Sequence, residues 1–202
     1  MTGSIAFLGE AEEETHMTTQ IQPVLTIADL DCTPDDGNKY ELIDGEIYMS
    51  RAPSLTHQIT VQNSLMAIGS YLALNPIGIV VPGPGVIFDD FNGVIPDIIF
   101  FRNDRRAEIA SGDRLNGAPD LAVEIISPGA ENRRRDRVLK LHLYGRFGVK
   151  EYWLVDLENR SVEVYQLRGQ GLELAATFSG DDEMTSSVLP GFRLKLTELF
   201  KL

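Results

Sequence analysis

The spacing of apolar positions changes several times along the chain, and each change predicts an element. Residues 38–50, NKYELIDGEIYMS, hold two β-favouring runs joined by Asp44-Gly45, a pair suited to a two-residue hairpin. Past Pro53-Ser54 the period turns helical. Val61, Leu65, Ile68 and Leu72 recur at three- and four-residue steps within 56–74, with Ser54 or Thr56 as cap and His57 opening the apolar face. Apolar runs broken by Gly and Pro then predict strands over 77–81, 86–88 and 94–101. The stretch 119–127, PDLAVEIIS, is apolar on both faces and reads as a central strand. A second helix is expected over 133–147, ended by Gly148, with a strand over 149–156 and a hairpin over 162–167 and 172–178. Leu189-Pro190-Gly191 marks a late turn. Residues 1–20 carry Glu10, Glu12, Glu13 and Glu14 without a sustained apolar pattern, so a flexible acidic leader is expected there, with Met17 as an alternative start. No repeat or linker divides 21–202, which are expected to form a single domain.

Composition narrows the classes. The 202 residues suffice for a core without staples, and no apolar run approaches the ~20 residues that cross a bilayer. Cys32 is the sole cysteine, which leaves no intrachain disulfide and points to a reducing, cytoplasmic setting. A net charge of −12 argues against binding polyanions through bulk charge, so any nucleic-acid contact must be local. Without CxxC or HxxxH spacing, a zinc site is not expected.

Two acids interrupt strands otherwise built for burial. Asp97 lies within Ile95, Pro96, Ile98 and Ile99, and Glu124 within Ala122, Val123, Ile125 and Ile126. Removing a carboxylate from water costs several kcal/mol unless a cation, hydrogen bonds or protonation compensates. By strand alternation Asp97 shares a face with Ile95 and Ile99, and Glu124 with Ala122 and Ile126. If those faces coincide, the pair suits a hard divalent cation; the alternative is a separate arginine partner for each. Asp120 reads as a turn residue at a strand entrance. On the second helix Asp136, Lys140 and Tyr144 follow a four-residue step, either an ordinary surface ion pair or a lysine returned over the sheet toward Glu124.

These pieces resemble the PD-(D/E)XK restriction-endonuclease-like superfamily, with core order αβββαβ, and more narrowly the Uma family of endonucleases. The matching residues are 40–46 (YELIDGE), His57 after Pro53-Ser54, Pro96-Asp97, 119–128 (PDLAVEIISP), Asp136 with Lys140 and Tyr144, 148–156 (GVKEYWLVD) and 189–192. The resemblance implies an α/β (α+β) fold, a central mixed sheet flanked by helices with hairpins at both ends. It gives Asp97 and Glu124 the positions of the two signature acids. The signature lysine would fall at Ile126, which cannot serve, so Lys140 becomes the candidate. The implied activity is metal-dependent hydrolysis of phosphodiester bonds, in DNA first. Asp97, Glu124 and the Ile125 carbonyl would hold Mg²⁺, or Mn²⁺, and Lys140 would orient water or offset developing charge. Glu46 is a further candidate acid, with a strand-edge role as the alternative. His57 is a candidate general base, with a cap or core hydrogen bond as the alternative. Arg133, Arg137 and Tyr144 are the expected substrate contacts. The clusters Arg102, Arg105, Arg106 and Arg133, Arg134, Arg135, Arg137 read equally as phosphate contacts or neutralisers of nearby acids. A homodimer is expected by analogy, since two strands are cut. Two other readings stay open: a catalytically inactive nuclease-fold binding or regulatory module, and a hydrolase of RNA or another phosphate ester.

Overall fold

The computed structural model describes residues 23–126 and 129–202; the expected acidic leader lies outside them. A short helix α1 (Ile27–Leu30) leads into the hairpin β1 (Lys39–Ile43) and β2 (Glu46–Ser50). At its turn Asp44 and Gly45 have φ of 50° and 77°, the doubly positive pattern of a type I′ turn. Helix α2 (Leu55–Leu74) begins where Ser54 Oγ accepts the His57 backbone N–H at 3.2 Å.

Next come β3 (Gly78–Pro82), β4 (Val86–Asp89), β5 (Asn92–Val94) and β6 (Ile98–Arg102). The single strand expected over 94–101 is thus two. Pro96 lacks an N–H for a ladder, and the chain crosses between sheets at 95–97. The polar stretch beyond β6 folds into α3 (Arg106–Ile109), β7 (Ala110–Ser111) and β8 (Arg114–Asn116), elements too short for periodicity to reveal. Strand β9 (Leu121–Ile125) follows. Asp120 at its entrance is fully buried, accepting the Arg102 N–H and pairing with Lys150 at 2.6 Å, so it anchors strands rather than merely turning the chain.

The second helical segment is composite: α4 (Ala130–Arg134), a π-helical stretch Arg135–Lys140, and α5 (Leu141–Phe147), closed by Gly148 at φ 83°. It joins β9 to β10 (Glu151–Asp156), which pair in parallel, as a crossover helix requires. The hairpin β11 (Ser161–Arg168) and β12 (Gly171–Ser179), the small pair β13 (Glu183–Thr185) and β14 (Arg193–Lys195), and α6 (Leu196–Leu199) complete the chain.

One six-stranded sheet runs β2-β1-β5-β4-β8-β7 and another β12-β11-β10-β9-β6-β3; both are mixed. The fold is therefore of the expected α+β kind, with two large sheets in place of one. The second sheet forms the middle layer. On one face Ile98, Phe100, Val123 and Trp153 pack under Val61 and Ile68 of α2 and Phe192 near the C-terminus. On the other, Ile99, Ala122, Ile126 and Leu154 meet Leu143 and Tyr144 of α5 and Ile43, Val86 and Val94 of the first sheet. Each Val, Leu, Ile or Phe among them contributes roughly 1.5–3 kcal/mol by leaving water. Among the described residues no helix is long and apolar enough to cross a membrane.

Candidate active site

Strands β6 and β9 pair antiparallel with Ile98 opposite Val123 and Ile99 opposite Ala122. Continuing that register one step sets Asp97 beside Glu124. Their facial neighbours Ile99, Ala122 and Ile126 all lie in the core shared with α5, so the two acids meet on one face. The contacts agree: the Ile125 N–H donates to Asp97 Oδ2 at 2.9 Å.

Lys140 reaches the same place. Its Nζ lies 2.8 Å from Glu124 Oε1, 2.8 Å from Glu41 Oε1 and 3.9 Å from Asp136 Oδ1, and the residue is 1% exposed. The position expected for the signature lysine, Ile126, is filled by core packing. Tyr144 is fully buried and donates its hydroxyl to Glu124 Oε1 at 2.7 Å. It cannot be the substrate contact expected of it and instead holds the acid. Glu41 also accepts the Ile95 N–H at 2.8 Å, which ties down the crossing between sheets just before Asp97. Arg135 Nε donates to Asp136 Oδ1 at 3.0 Å and lies 3.6 Å from Glu41 Oε2. Asp97, Glu124, Lys140, Glu41, Asp136 and Arg135, with Lys39, Ser50, Arg51 and His57, line a tight polar cleft of about 30 Å³, room for one or two water-sized ligands.

Other expected residues are placed elsewhere. Glu46 is exposed at the start of β2, accepts from the Tyr48 hydroxyl at 2.8 Å and does not line the cleft; Glu41, on the paired strand, does. Arg137 is held by Glu163 at 2.7 Å and Asp156 at 3.0 Å, and Arg133 pairs with Asp156 and Glu158. Both are spent on carboxylates and neither lines the cleft. Arg102, Arg105 and Arg106 gather at the far end of β6 from Asp97, roughly 15 Å away at a strand's rise. His57 is buried, with Nε2 3.1 Å from Asp97 Oδ2, while Nδ1 is buried without a hydrogen-bond partner among the described residues. Its Nε2 is engaged by the acid, a geometry that offers a positioning role for Asp97.

The electrostatics follow from this crowding. Burial raises the Glu124 carboxyl to about 8, with Asp97, Asp136 and Glu41 adding to the rise and Lys140 opposing it. Burial likewise lifts Asp136. Burial would raise Asp97 too, but the His57 hydrogen bond and charge, together with the Ile125 amide, outweigh it and hold this carboxyl below its ordinary value. Burial alone would lower Lys140, yet Glu124, Glu41 and Asp136 push it up, so the ammonium persists. Glu41, Asp97, Glu124 and Asp136 thus face two buried cations, Arg135 and Lys140.

Among the described residues, no three His, Cys, Asp or Glu side chains form a ready metal cage. What the cleft offers a cation is sparser. Asp97 Oδ1 and Glu124 Oε2 stand outside the hydrogen bonds just described, and Ile125 lines the same wall. Two carboxylate oxygens with waters completing the shell match the habits of Mg²⁺, which seldom takes an all-protein cage. The residues present therefore fit a hard divalent ion.

Two acids thus stand side by side on antiparallel strands of an α+β fold, with a lysine delivered to them by the crossover helix. Residues 27–197 match the Uma2 family, described as "Putative restriction endonuclease", and the chain belongs to that family. A crystal structure described as a putative nuclease belonging to DUF820, from Anabaena variabilis ATCC 29413, shares the fold. It has a TM-score of 0.72, covering 87% of this chain and 97% of that one at 20% identity. No curated protein matches the chain.

Proposed function

We propose that the protein is a Mg²⁺-dependent endonuclease that hydrolyses phosphodiester bonds in DNA, with Mn²⁺ as an alternative ion. The observation that carries this reading is geometric: Asp97 and Glu124 stand side by side on one face of β6 and β9, each with one oxygen outside its described hydrogen bonds, and Lys140 lies beside them. Family membership and the shared fold support it from outside the site.

Asp97 Oδ1, Glu124 Oε2 and the Ile125 carbonyl would hold the ion. When bound, it supplies an acidified water and a polarised phosphoryl oxygen. Lys140 has three donors, two of them directed at Glu41 and Glu124, which leaves the third for the attacking water or a phosphoryl oxygen. His57 and the Ile125 amide fix Asp97 through Oδ2, and Tyr144 and Lys140 fix Glu124 through Oε1, so each acid presents its other oxygen in one orientation.

The test is incubation of the purified protein with supercoiled plasmid, linear DNA and RNA in Mg²⁺, Mn²⁺ or chelator, beside Asp97→Ala, Glu124→Ala and Lys140→Ala. Cleavage of DNA that needs the metal and disappears in the variants is expected. Cleavage that survives all three substitutions, or fails to appear with either metal, overturns the reading. Preference for RNA redirects it to the other polynucleotide. A second reading, a nuclease-fold module that no longer cleaves, is favoured by one observation: Lys140 is almost fully buried and already engaged by two carboxylates. Calorimetric titration separates the two, because the module reading expects no Mg²⁺ heat that depends on Asp97 and Glu124. The homodimer belongs to the same proposal, and a single monomeric species in sedimentation at all concentrations removes it.

A further inference from the structure

A polynucleotide needs positive charge at the mouth of the cleft, and Arg133, Arg135 and Arg137 beyond β9 do not provide it. Arg133 and Arg137 are engaged by Asp156, Glu158 and Glu163, and Arg135 and Lys140 are buried against the acids of the cleft. Two cleft-lining cations remain. Lys39 is 36% exposed at its side chain, with Nζ 3.8 Å from Asp97 Oδ1. Arg51 is exposed and makes no ion pair or side-chain hydrogen bond among the described residues.

We propose that Arg51, flanked by Ser50 and Lys39, contacts a backbone phosphate of the substrate next to the scissile one; this rests on the nuclease reading above. The hairpin register supports it. Lys39 and Ser50 are cross-strand partners at the open end of β1 and β2, and Arg51 is the next residue, so one hairpin end delivers two cations and a hydroxyl to one edge of the cleft. Pro53 and the Ser54 cap follow at once and hold the linking segment against the start of α2, within the same helical turn as His57, which contacts Asp97. The position is informative because of what surrounds it. In a chain of net charge −12, beside a cleft rich in carboxylates, an arginine serving only to neutralise would lie on an acid, as Arg133, Arg137, Arg114 and Arg146 do. Arg51 keeps its planar fork free, and that fork matches two phosphate oxygens. It stands at the rim while Asp97 and Glu124 lie inside, which assigns it a flanking phosphate rather than the reacting one.

The experiment uses the full chain and a fluorescent DNA duplex in Ca²⁺, with affinity measured from low to moderate salt for the wild type, Arg51→Ala, Arg51→Lys and, as a charge-matched control, Arg193→Ala. Arg51→Ala is expected to weaken binding about tenfold and to lower the magnitude of the log–log salt slope by about one, with Arg51→Lys recovering part of both. In cleavage assays the loss falls mainly on KM. Equal affinity and slope for wild type and Arg51→Ala, or equal losses in Arg51→Ala and Arg193→Ala, overturn the proposal, as does a wild type that binds no DNA. A wild type that binds through Arg51 but never cleaves overturns the catalytic reading and leaves the contact standing.

Discussion

Glu124 accepts both of its described hydrogen bonds on one oxygen, from Lys140 and Tyr144, and that asymmetry sets what single substitutions do. Removing the tyrosine hydroxyl leaves the carboxylate with one donor. Tyr144→Phe is expected to fold, to lose about 1–3 kcal/mol of stability, and to lower kcat with little change in KM, which denaturation and steady-state kinetics would show. Glu124 also couples stability to pH. Burial places the folded-state value at about 8, above the ordinary 4.5, so the folded protein binds a proton that the unfolded chain has released. Between those two values stability of the metal-free protein falls as pH rises, by up to ~1.4 kcal/mol per pH unit. Asp97 works in the opposite sense, its stabilisation disappearing only as the solution becomes acidic enough to protonate it. Thermal melts at pH 5, 6.5 and 8 in chelator are expected to show a declining Tm that Glu124→Gln flattens; an unchanged slope in that variant counts against the assignment. At this scale the acids were legible because a carboxylate within an apolar strand is costly without a partner. Glu41 carries the same signal, lying between Tyr40 and Leu42, and it rather than Glu46 lines the cleft.

The crossover helix shows where pattern reading stopped. A regular helix over 133–147 places Arg133 and Arg137 near the stripe of Lys140, whereas the π-helical stretch Arg135–Lys140 widens the turn. Arg135, Asp136 and Lys140 become the buried residues of that stretch, and Arg137 faces Glu163 instead. Side-chain spacing alone does not announce an extra residue in a turn, because the apolar positions on either side keep their own period. Deleting the exposed Val138 is expected to restore α-helical register, retaining the far-ultraviolet circular dichroism while rotating either Arg135 and Asp136 or Lys140 out of the cleft. At least a tenfold loss of cleavage is the expected reading; full activity in the deletion would mean that the wide turn is incidental. The hairpin turn, by contrast, was legible in full, since Asp44-Gly45 favours the positive φ values found there.

At the scale of the whole molecule, the chain order of the main strands and the presence of a helix before β10 followed from periodicity, but the π-helical stretch in that helix and the division into two sheets did not. Long-range pairings such as β4 with β8 join segments whose sequences carry no mutual mark. The charge of the cleft leads to a global expectation. An ion bound by the folded protein alone stabilises it by RT ln(1 + [L]/Kd), about 2.7 kcal/mol at a hundredfold excess over Kd. Mg²⁺ is therefore expected to raise Tm by roughly 5–10 °C in the wild type and not in Asp97→Asn.

The cleft draws its walls from different layers. Glu124 comes from the middle sheet, Glu41 and Lys39 from the outer one, and Asp97 from the corner that links them. Neither layer owns the chemistry. A slip of a single ångström between them would misalign opposing walls while every strand kept its ladder intact, so heat should silence the enzyme some degrees before its secondary structure melts.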